Sequence, residues 1–175
     1  MTQENKKYNI LIVSNEIRII NKLSIIFEVP KYNFELLRDP LSAINQIKSK
    51  NYDLIIINFN FPKKLLELFI KKIRTFDAFT YIMLIAQDYN IDDTLDIIKN
   101  YDIQASYNNN DEFNKLVILV ELITNSIYEF MRINLQLDNY STDSKSPYLS
   151  TVQILRNIVE YKDRYTIGHS FRVSK

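Results

Sequence analysis

Five short apolar runs in the N-terminal part of the chain predict β-strands. They cover residues 8–13, 34–37, 53–57, 81–85 and, less clearly, 103–107. The third run is apolar at every position after Asp53, which is typical of a strand buried on both faces. It is followed by the polar residue Asn58 and soon afterwards by Pro62. Asn58 is therefore predicted to lie at the carboxyl tip of this strand, where ligands bind in open α/β sheets.

Segments with apolar side chains at helical spacing separate these strands. Ile19, Leu23, Ile26 and Phe27 form the first such set, and further helices are predicted at about 40–47, 64–73 and 92–99. Strand and helix therefore alternate five times. This alternation predicts an α/β fold with a parallel sheet and helices on both of its faces.

The chain after Asn110 predicts one long helix, which can be capped by Asp111 and meets no Pro or Gly until beyond Leu137. Its inner positions alternate spacings of four and three, through Leu116, Val120, Ile123, Ile127, Phe130, Asn134 and Leu137. The first half must pack on the sheet, but roughly 14 residues, about 21 Å, extend beyond it. We therefore expect a homodimer seam from Val120 to Leu137, with Asn134 fixing the register. The alternative is a contact with the C-terminal segment of the same chain.

Three regions follow from this pattern. Residues 1–125 form the α/β domain, 126–147 form a helical stalk followed by a polar linker from Asp138 to Pro147, and 148–175 form a separate C-terminal piece. The last piece begins with an amphipathic helix whose apolar side contains Val152, Leu155 and Ile158. No internal repeat is present.

Composition excludes several classes of function. The 175 residues include 46% hydrophobic side chains, enough for a core, and carry a net charge of only +1, which argues against a nucleic-acid-binding surface. The absence of cysteine excludes disulfides, thiolate catalysis and Cys-ligated zinc. The single glycine, Gly168, excludes Gly-rich loops for nucleotide phosphates. We expect no cofactor.

The N-terminus is polar, and no apolar run reaches the roughly 18 residues that span a bilayer. The sequence therefore predicts a cytoplasmic protein without membrane contact, whose partners are proteins or a second copy of itself. Two charged clusters are interpreted as solvated surface. They are the acidic set Asp92, Asp93 and Asp96, and the basic set Lys63, Lys64, Lys71, Lys72 and Arg74.

Residues 8 to about 125 resemble the receiver domain of two-component response regulators. The matching stretches are 9–13, 52–58 with Pro62, and 82–86. The resemblance implies a flavodoxin-like (βα)5 fold with a five-stranded parallel sheet. It also implies phosphoryl transfer to an aspartate, with an acidic pair that holds Mg²⁺, a hydroxyl after the fourth strand and a lysine after the fifth.

The positions that correspond to this phosphorylation pocket carry different side chains here. The acidic pair falls on Ser14 and Asn15, next to Glu16; the acceptor falls on Asn58, the hydroxyl on Ile85 beside Ala86, and the lysine near Asn109. Mg²⁺ prefers charged oxygen ligands, and phosphoryl transfer needs positive charge around the phosphate oxygens. We therefore expect a degenerate receiver, or pseudo-receiver, without catalytic residues.

The C-terminal piece is similar to the opening helix of HD-GYP domains, which are metal-dependent phosphodiesterases of cyclic dinucleotides. The similarity rests on Glu160 to Asp163, Tyr165-Thr166, His169-Ser170 and Arg172-Val173. His169 matches a metal ligand of that family, but the chain has no second histidine and no His-Asp pair. We expect no metal site, with a metal role for His169 only in a complete domain.

The sequence therefore predicts a non-enzymatic regulatory domain that acts through protein contacts or dimerisation. One alternative is the front part of a cyclic-dinucleotide phosphodiesterase whose catalytic residues lie beyond Lys175. The other is an ordinary phosphorylated response regulator.

Overall fold

The structure is a computed structural model that describes residues 7–58, 62–86 and 91–143, and the side chains of 91–95 and 137–143 are not among those described. The chain divides into two compact units, Met1–Tyr128 and Glu129–Lys175. The predicted helix near Val152 and the HD-GYP-like segment with His169 lie outside the described residues. No helix in the described ranges is both long and apolar enough to cross a membrane.

Five parallel strands and five helices alternate along the chain. Their bounds are β1 Tyr8–Ser14, α1 Ile17–Phe27, β2 Tyr32–Leu37, α2 Pro40–Ser49, β3 Leu54–Asn58, α3 Lys63–Phe76, β4 Tyr81–Ala86, α4 Ile91–Tyr101, β5 Ala105–Asn108 and α5 Phe113–Asp143. The strand order is β2-β1-β3-β4-β5. The predicted α/β fold with a five-stranded parallel sheet is therefore confirmed, including the weakly predicted fifth strand, which begins at Ala105.

The central strands are apolar throughout because both faces of the sheet are covered. Leu11 and Val13 of β1 and Ile55 and Ile57 of β3 belong to the core cluster shared with α2, α3 and α4. The alternate residues of these strands point to the opposite face and are equally buried. The inner sides of α1 and of the first half of α5 are buried as well. This is why the strands lack the alternation of a one-sided sheet.

Helix α2 shows how local sequence starts an element. The carboxylate of Asp39, which directly precedes the helix, accepts a hydrogen bond of 2.7 Å from the backbone N–H of Ser42. Pro40 occupies the first helical position, where its missing N–H costs nothing. The predicted start of the second helix is therefore confirmed.

Helix α5 is longer than the sequence indicated. It ends at Asp143, so residues 138–143, which the sequence assigned to the polar linker, are helical. The linker assignment was wrong there because it used polarity alone. Polar residues do not end a helix by themselves, and the first proline after α5 begins is Pro147.

Candidate functional site

The carboxyl ends of β1 and β3 bring two polar side chains together inside the protein. In the register of these parallel strands, Ser14 lies opposite Asn58. Both are buried, and Asn58 is only 2% exposed. The Nδ2 atom of Asn58 lies 3.2 Å from the Oγ atom of Ser14. The two predicted pocket positions are thus directly hydrogen-bonded to each other.

Glu16 supplies the charged group of this site. It occupies the N-cap position of α1, but its side chain makes no capping hydrogen bond. Its Oε2 atom accepts a hydrogen bond of 3.2 Å from Asn58 Nδ2, and its Oε1 atom accepts one of 3.0 Å from Asn109 Nδ2. The carboxylate of Glu16 therefore links the end of β3 to the residue that follows β5.

The amide of Asn58 has its two hydrogens matched by two acceptors, the hydroxyl of Ser14 and the carboxylate of Glu16. The Ser14 hydroxyl also accepts a hydrogen bond of 3.2 Å from the backbone N–H of Glu16. Burial makes unpaired polar groups costly, so this satisfied arrangement stabilises the end of the sheet. A carboxamide here lacks the carboxylate nucleophile that forms acyl phosphates.

Lys22 is a member of the site that the sequence interpretation missed. From α1 its Nζ atom lies 3.4 Å from both the backbone oxygen and the Oδ1 atom of Asn109. It also lies 5.7 Å from the centre of the Tyr107 ring. The resemblance to receiver domains placed the lysine of the pocket near Asn109, after β5, and not on α1. The sequence did contain an indication of this role, because Lys22 lies between the buried positions Ile19 and Leu23 of α1 and is therefore close to the sheet.

The remaining predicted positions add no ionisable group. Ile85 is buried in β4, and Ala86 follows it at the end of the strand, paired with Asn108. Asn15 is exposed on the surface. The described part of the pocket therefore holds one carboxylate, one ammonium group and several neutral amides and hydroxyls.

Among the described side chains, no group of three or more His, Cys, Asp or Glu comes together in a way that could hold a metal ion. Within the pocket, Glu16 is the only carboxylate of the predicted set, and its two oxygens each accept an amide hydrogen. Among the residues that the structure describes, a Mg²⁺ ion would have to displace these hydrogen bonds and find its other ligands among neutral oxygens.

The predicted dimer seam falls into two parts. Val120, Ile123 and Ile127 are buried within the first compact unit. In the second unit Phe130 is half-buried and Asn134 is exposed, while the side chain of Leu137 is not among those described. The part of the seam that a second copy could reach therefore begins at Phe130.

At the opposite end of the strands, Arg74 contradicts its interpretation as solvated surface. Its guanidinium donates hydrogen bonds of 2.7 Å to the backbone oxygens of Thr80 and Asp102 and one of 3.2 Å to that of Tyr101. Burial holds the pKa of Arg74 below its usual range. A charge count cannot separate such a residue from its exposed neighbours, because the carbonyls that it binds come from two later segments of the chain, the turn before β4 and the end of α4.

Asp77 forms a turn next to Arg74. Its Oδ1 atom accepts hydrogen bonds from the backbone N–H groups of Phe79, at 3.0 Å, and Thr80, at 2.8 Å. Its other carboxylate oxygen accepts from the Thr80 hydroxyl. Burial alone would raise the pKa of Asp77, but the hydrogen bonds from Thr80 and Phe79 and the charge of Arg74 hold it below its usual value.

Comparison with solved structures shows the receiver fold. A CheY-like response regulator receiver domain protein from Methanospirillum hungatei JF-1 is 15% identical with a TM-score of 0.61, and the match covers 73% of this chain and 98% of that chain. A signal receiver domain of an HD domain-containing protein from Pseudomonas fluorescens Pf-5 is 17% identical with a TM-score of 0.62, covering 71% and 99%.

A third match is a member of a family of redox sensors in the streptococci that evolved from two-component response regulators. It is 18% identical with a TM-score of 0.61, and the match covers 74% of this chain and 55% of that one. No family model and no curated protein matches the sequence. At these identities the matches define the fold, which is the flavodoxin-like receiver fold that the sequence predicted.

Proposed function

We propose that this chain is a regulatory domain of the two-component response-regulator type that does not accept a phosphoryl group and is not an enzyme. The observation that carries the proposal is the environment of Asn58. A buried amide, bonded to Ser14 and Glu16, stands at the strand tip where chemistry in this fold takes place. The domain then transmits signals by binding proteins. The hydrogen bonds of the pocket serve only to hold the ends of the strands together.

The fold comparisons support such reuse of the architecture. One matched structure belongs to redox sensors that evolved from response regulators. A receiver scaffold can therefore serve a signalling role other than the original one, while keeping its sheet and helices.

Exposure to acetyl phosphate and Mg²⁺, followed by intact-mass measurement, tests the pocket. We expect no added phosphoryl group on the full chain. The positive control is a receiver domain with an intact acceptor aspartate, which should gain one phosphoryl group under the same conditions. A gain of one phosphoryl group on this chain would instead identify an ordinary phosphorylated response regulator.

We also propose that the second half of α5 pairs with the same helix of a second copy. Phe130, Asn134 and Leu137 continue the heptad pattern beyond the buried positions, and Leu135 is exposed beside them. Sedimentation equilibrium should give a dimer for the full chain and a monomer for Phe130→Asp. Gln136→Asp, a matched change at an exposed position off the seam, should stay dimeric. A monomeric unmodified chain would remove this part of the proposal.

The second candidate function is the front part of a cyclic-dinucleotide phosphodiesterase. It is favoured by the HD-GYP-like residues around His169 and by the matched receiver domain of an HD domain-containing protein. This activity would need residues beyond Lys175. The test is the reading frame after Lys175: a following His-Asp pair and Gly-Tyr-Pro motif would support it, and an immediate stop codon would exclude it.

A further inference from the structure

Helix α3 carries an exposed apolar flank that the pocket does not explain. Leu65 and Phe76 are 51% and 43% exposed, and Leu68 and Lys72 lie between them along the helix. Phe76 lies eleven positions after Leu65, close to three helical turns, so both point in nearly the same direction. Phe79, in the turn after the helix, is 82% exposed. Single exposed apolar residues are common, but a grouped set marks a binding surface.

A groove lies beside this flank. It encloses about 630 Å³ and is lined by the C-terminal part of α2, including Ile47 and Lys48, and by the end of α3 and the following turn, including Phe76 and Phe79. This volume can accept apolar side chains from a partner. The surface therefore offers both a depression and projecting aromatic rings.

The charge around the groove is positive. The Nζ atoms of Lys48 and Lys72 lie 4.8 Å and 5.2 Å from the centre of the Phe76 ring. In the part of the chain that the structure describes, neither ammonium group is paired with a carboxylate. The nearby carboxylate of Asp77 is engaged by its own turn. A ligand at this surface therefore meets two unneutralised cations beside apolar rings.

We propose that this α2–α3 surface, formed by Lys48, Leu65, Lys72, Phe76 and Phe79, binds an acidic amphipathic helix of a partner protein. The apolar face of that helix covers Leu65, Phe76 and Phe79, and its carboxylates pair with Lys48 and Lys72. This is helix-in-groove recognition with complementary charge. An anionic membrane or nucleic acid fits less well, because such surfaces attract larger clusters of basic residues. The inference does not depend on the state of the Asn58 pocket.

The test uses the full chain and two designed helical peptides with identical leucine positions, one with glutamates and one with lysines at the polar positions. Fluorescence anisotropy should show binding of the acidic peptide and none of the basic one. The double variant Lys48→Glu/Lys72→Glu should bind the acidic peptide at least about tenfold more weakly than the original chain does, or roughly 1.4 kcal/mol. The same variant should bind the basic peptide. Phe79→Ser should weaken binding of the acidic peptide, and it should not cause the chain to bind the basic peptide.

Three controls separate this surface from general effects. Lys99→Glu changes an exposed lysine of α4 and should leave acidic-peptide binding unchanged. Urea denaturation should give all variants the same unfolding midpoint as the original chain, because the altered side chains are exposed. An acidic peptide that scrambles the leucine positions should not bind.

Several outcomes would overturn the proposal. One is absence of acidic-peptide binding, and another is equal binding by the double variant. If the chain self-associates and Phe79→Ser abolishes this self-association, the surface binds a second copy of the chain instead. Binding to phosphatidylserine vesicles or to duplex DNA that the charge reversal abolishes, without peptide binding, would assign it to those ligands.

Discussion

The two ends of the parallel strands use polar side chains differently. At the carboxyl ends, the buried amide of Asn58 donates one hydrogen bond to the hydroxyl of Ser14 and one to the carboxylate of Glu16. At the amino ends, Arg74 and Asp77 are charged and bond mainly to backbone groups. The first end is where a receiver fold would bind ligands, and the second only holds segments together. The chain thus keeps strong ionic contacts where they support its own backbone and has few where ligands would bind.

This comparison predicts that charge at the amino ends matters most for stability. Arg74→Met removes charge-assisted hydrogen bonds to the carbonyls of Thr80 and Asp102 and leaves these oxygens without that donor. The free energy of unfolding should fall by about 3 kcal/mol, measured by urea denaturation. Lys71→Met, at an exposed position of the same helix, should change it by less than about 0.5 kcal/mol. Equal losses for the two variants would show that Arg74 is surface after all.

The next prediction puts a charge back at the carboxyl ends. Asn58→Asp places a buried carboxylate beside that of Glu16, where the Asn58 amide now lies 3.2 Å from the Glu16 oxygen. Repulsion between the two should lower the unfolding free energy by about 2 kcal/mol without Mg²⁺. Millimolar Mg²⁺ should recover part of the loss, because two carboxylates form a better site than one.

The unmodified chain, titrated with Mg²⁺ in the same thermal melts, is the control for Asn58→Asp. Its melting temperature should not respond beyond the general salt effect seen with Na⁺. A variant that is unaffected by Mg²⁺ would mean that the pocket geometry, and not only the residue at position 58, has departed from that of an ion site.

Asp77 should make stability depend on pH. Because the folded-state pKa of Asp77 lies below its usual value, its contribution is present above the unfolded pKa of about 3.9. The contribution is lost as pH falls through the lower folded pKa. Asp77→Asn should therefore cost about 1–2 kcal/mol near neutral pH, and the difference between the two proteins should shrink on acidification. Asp96→Asn, whose original side chain is 67% exposed, should change the unfolding free energy by less than about 0.5 kcal/mol near neutral pH.

The smallest predicted effect is a gain. Asp102 follows α4 with a φ of 51°, in the left-handed region, and the N–H of Ile103 bonds to the oxygen of Ile98 across the helix end at 3.2 Å. Glycine is the usual residue at such a position because it has no Cβ. Asp102→Gly should raise the unfolding free energy by about 0.5 kcal/mol. A clear loss in urea denaturation would mean that the Asp102 side chain itself stabilises the turn.

The sheet was predictable because its signals are local. The apolar run before Asn58 identified β3, and the Asp39-Pro40 pair located the start of α2. The polar residues at the ends of β1 and β3 were also identified from the sequence, since strand order in this fold makes those ends adjacent. The register of Ser14 with Asn58 then brings these two side chains within hydrogen-bonding distance of each other.

Other features depend on contacts that no local pattern contains. Lys22 reaches Asn109 across 87 positions of sequence, and Arg74 binds carbonyls from two later segments. The end of α5 was placed too early because the polar residues from Asp138 onwards resemble a linker, although none of those up to Asp143 is a helix breaker. Long-range contacts and helix continuation therefore account for most of the differences.

The most direct measurement of the central claim is an NMR titration of the unmodified chain with Mg²⁺ followed by beryllofluoride, a mimic of a bound phosphoryl group. The account predicts that the backbone amide signals of Ser14, Glu16, Asn58 and Asn109 stay in place at both stages. Saturable shifts of these signals, and of no distant ones, would show that the amide-lined pocket binds both ligands and would contradict the account.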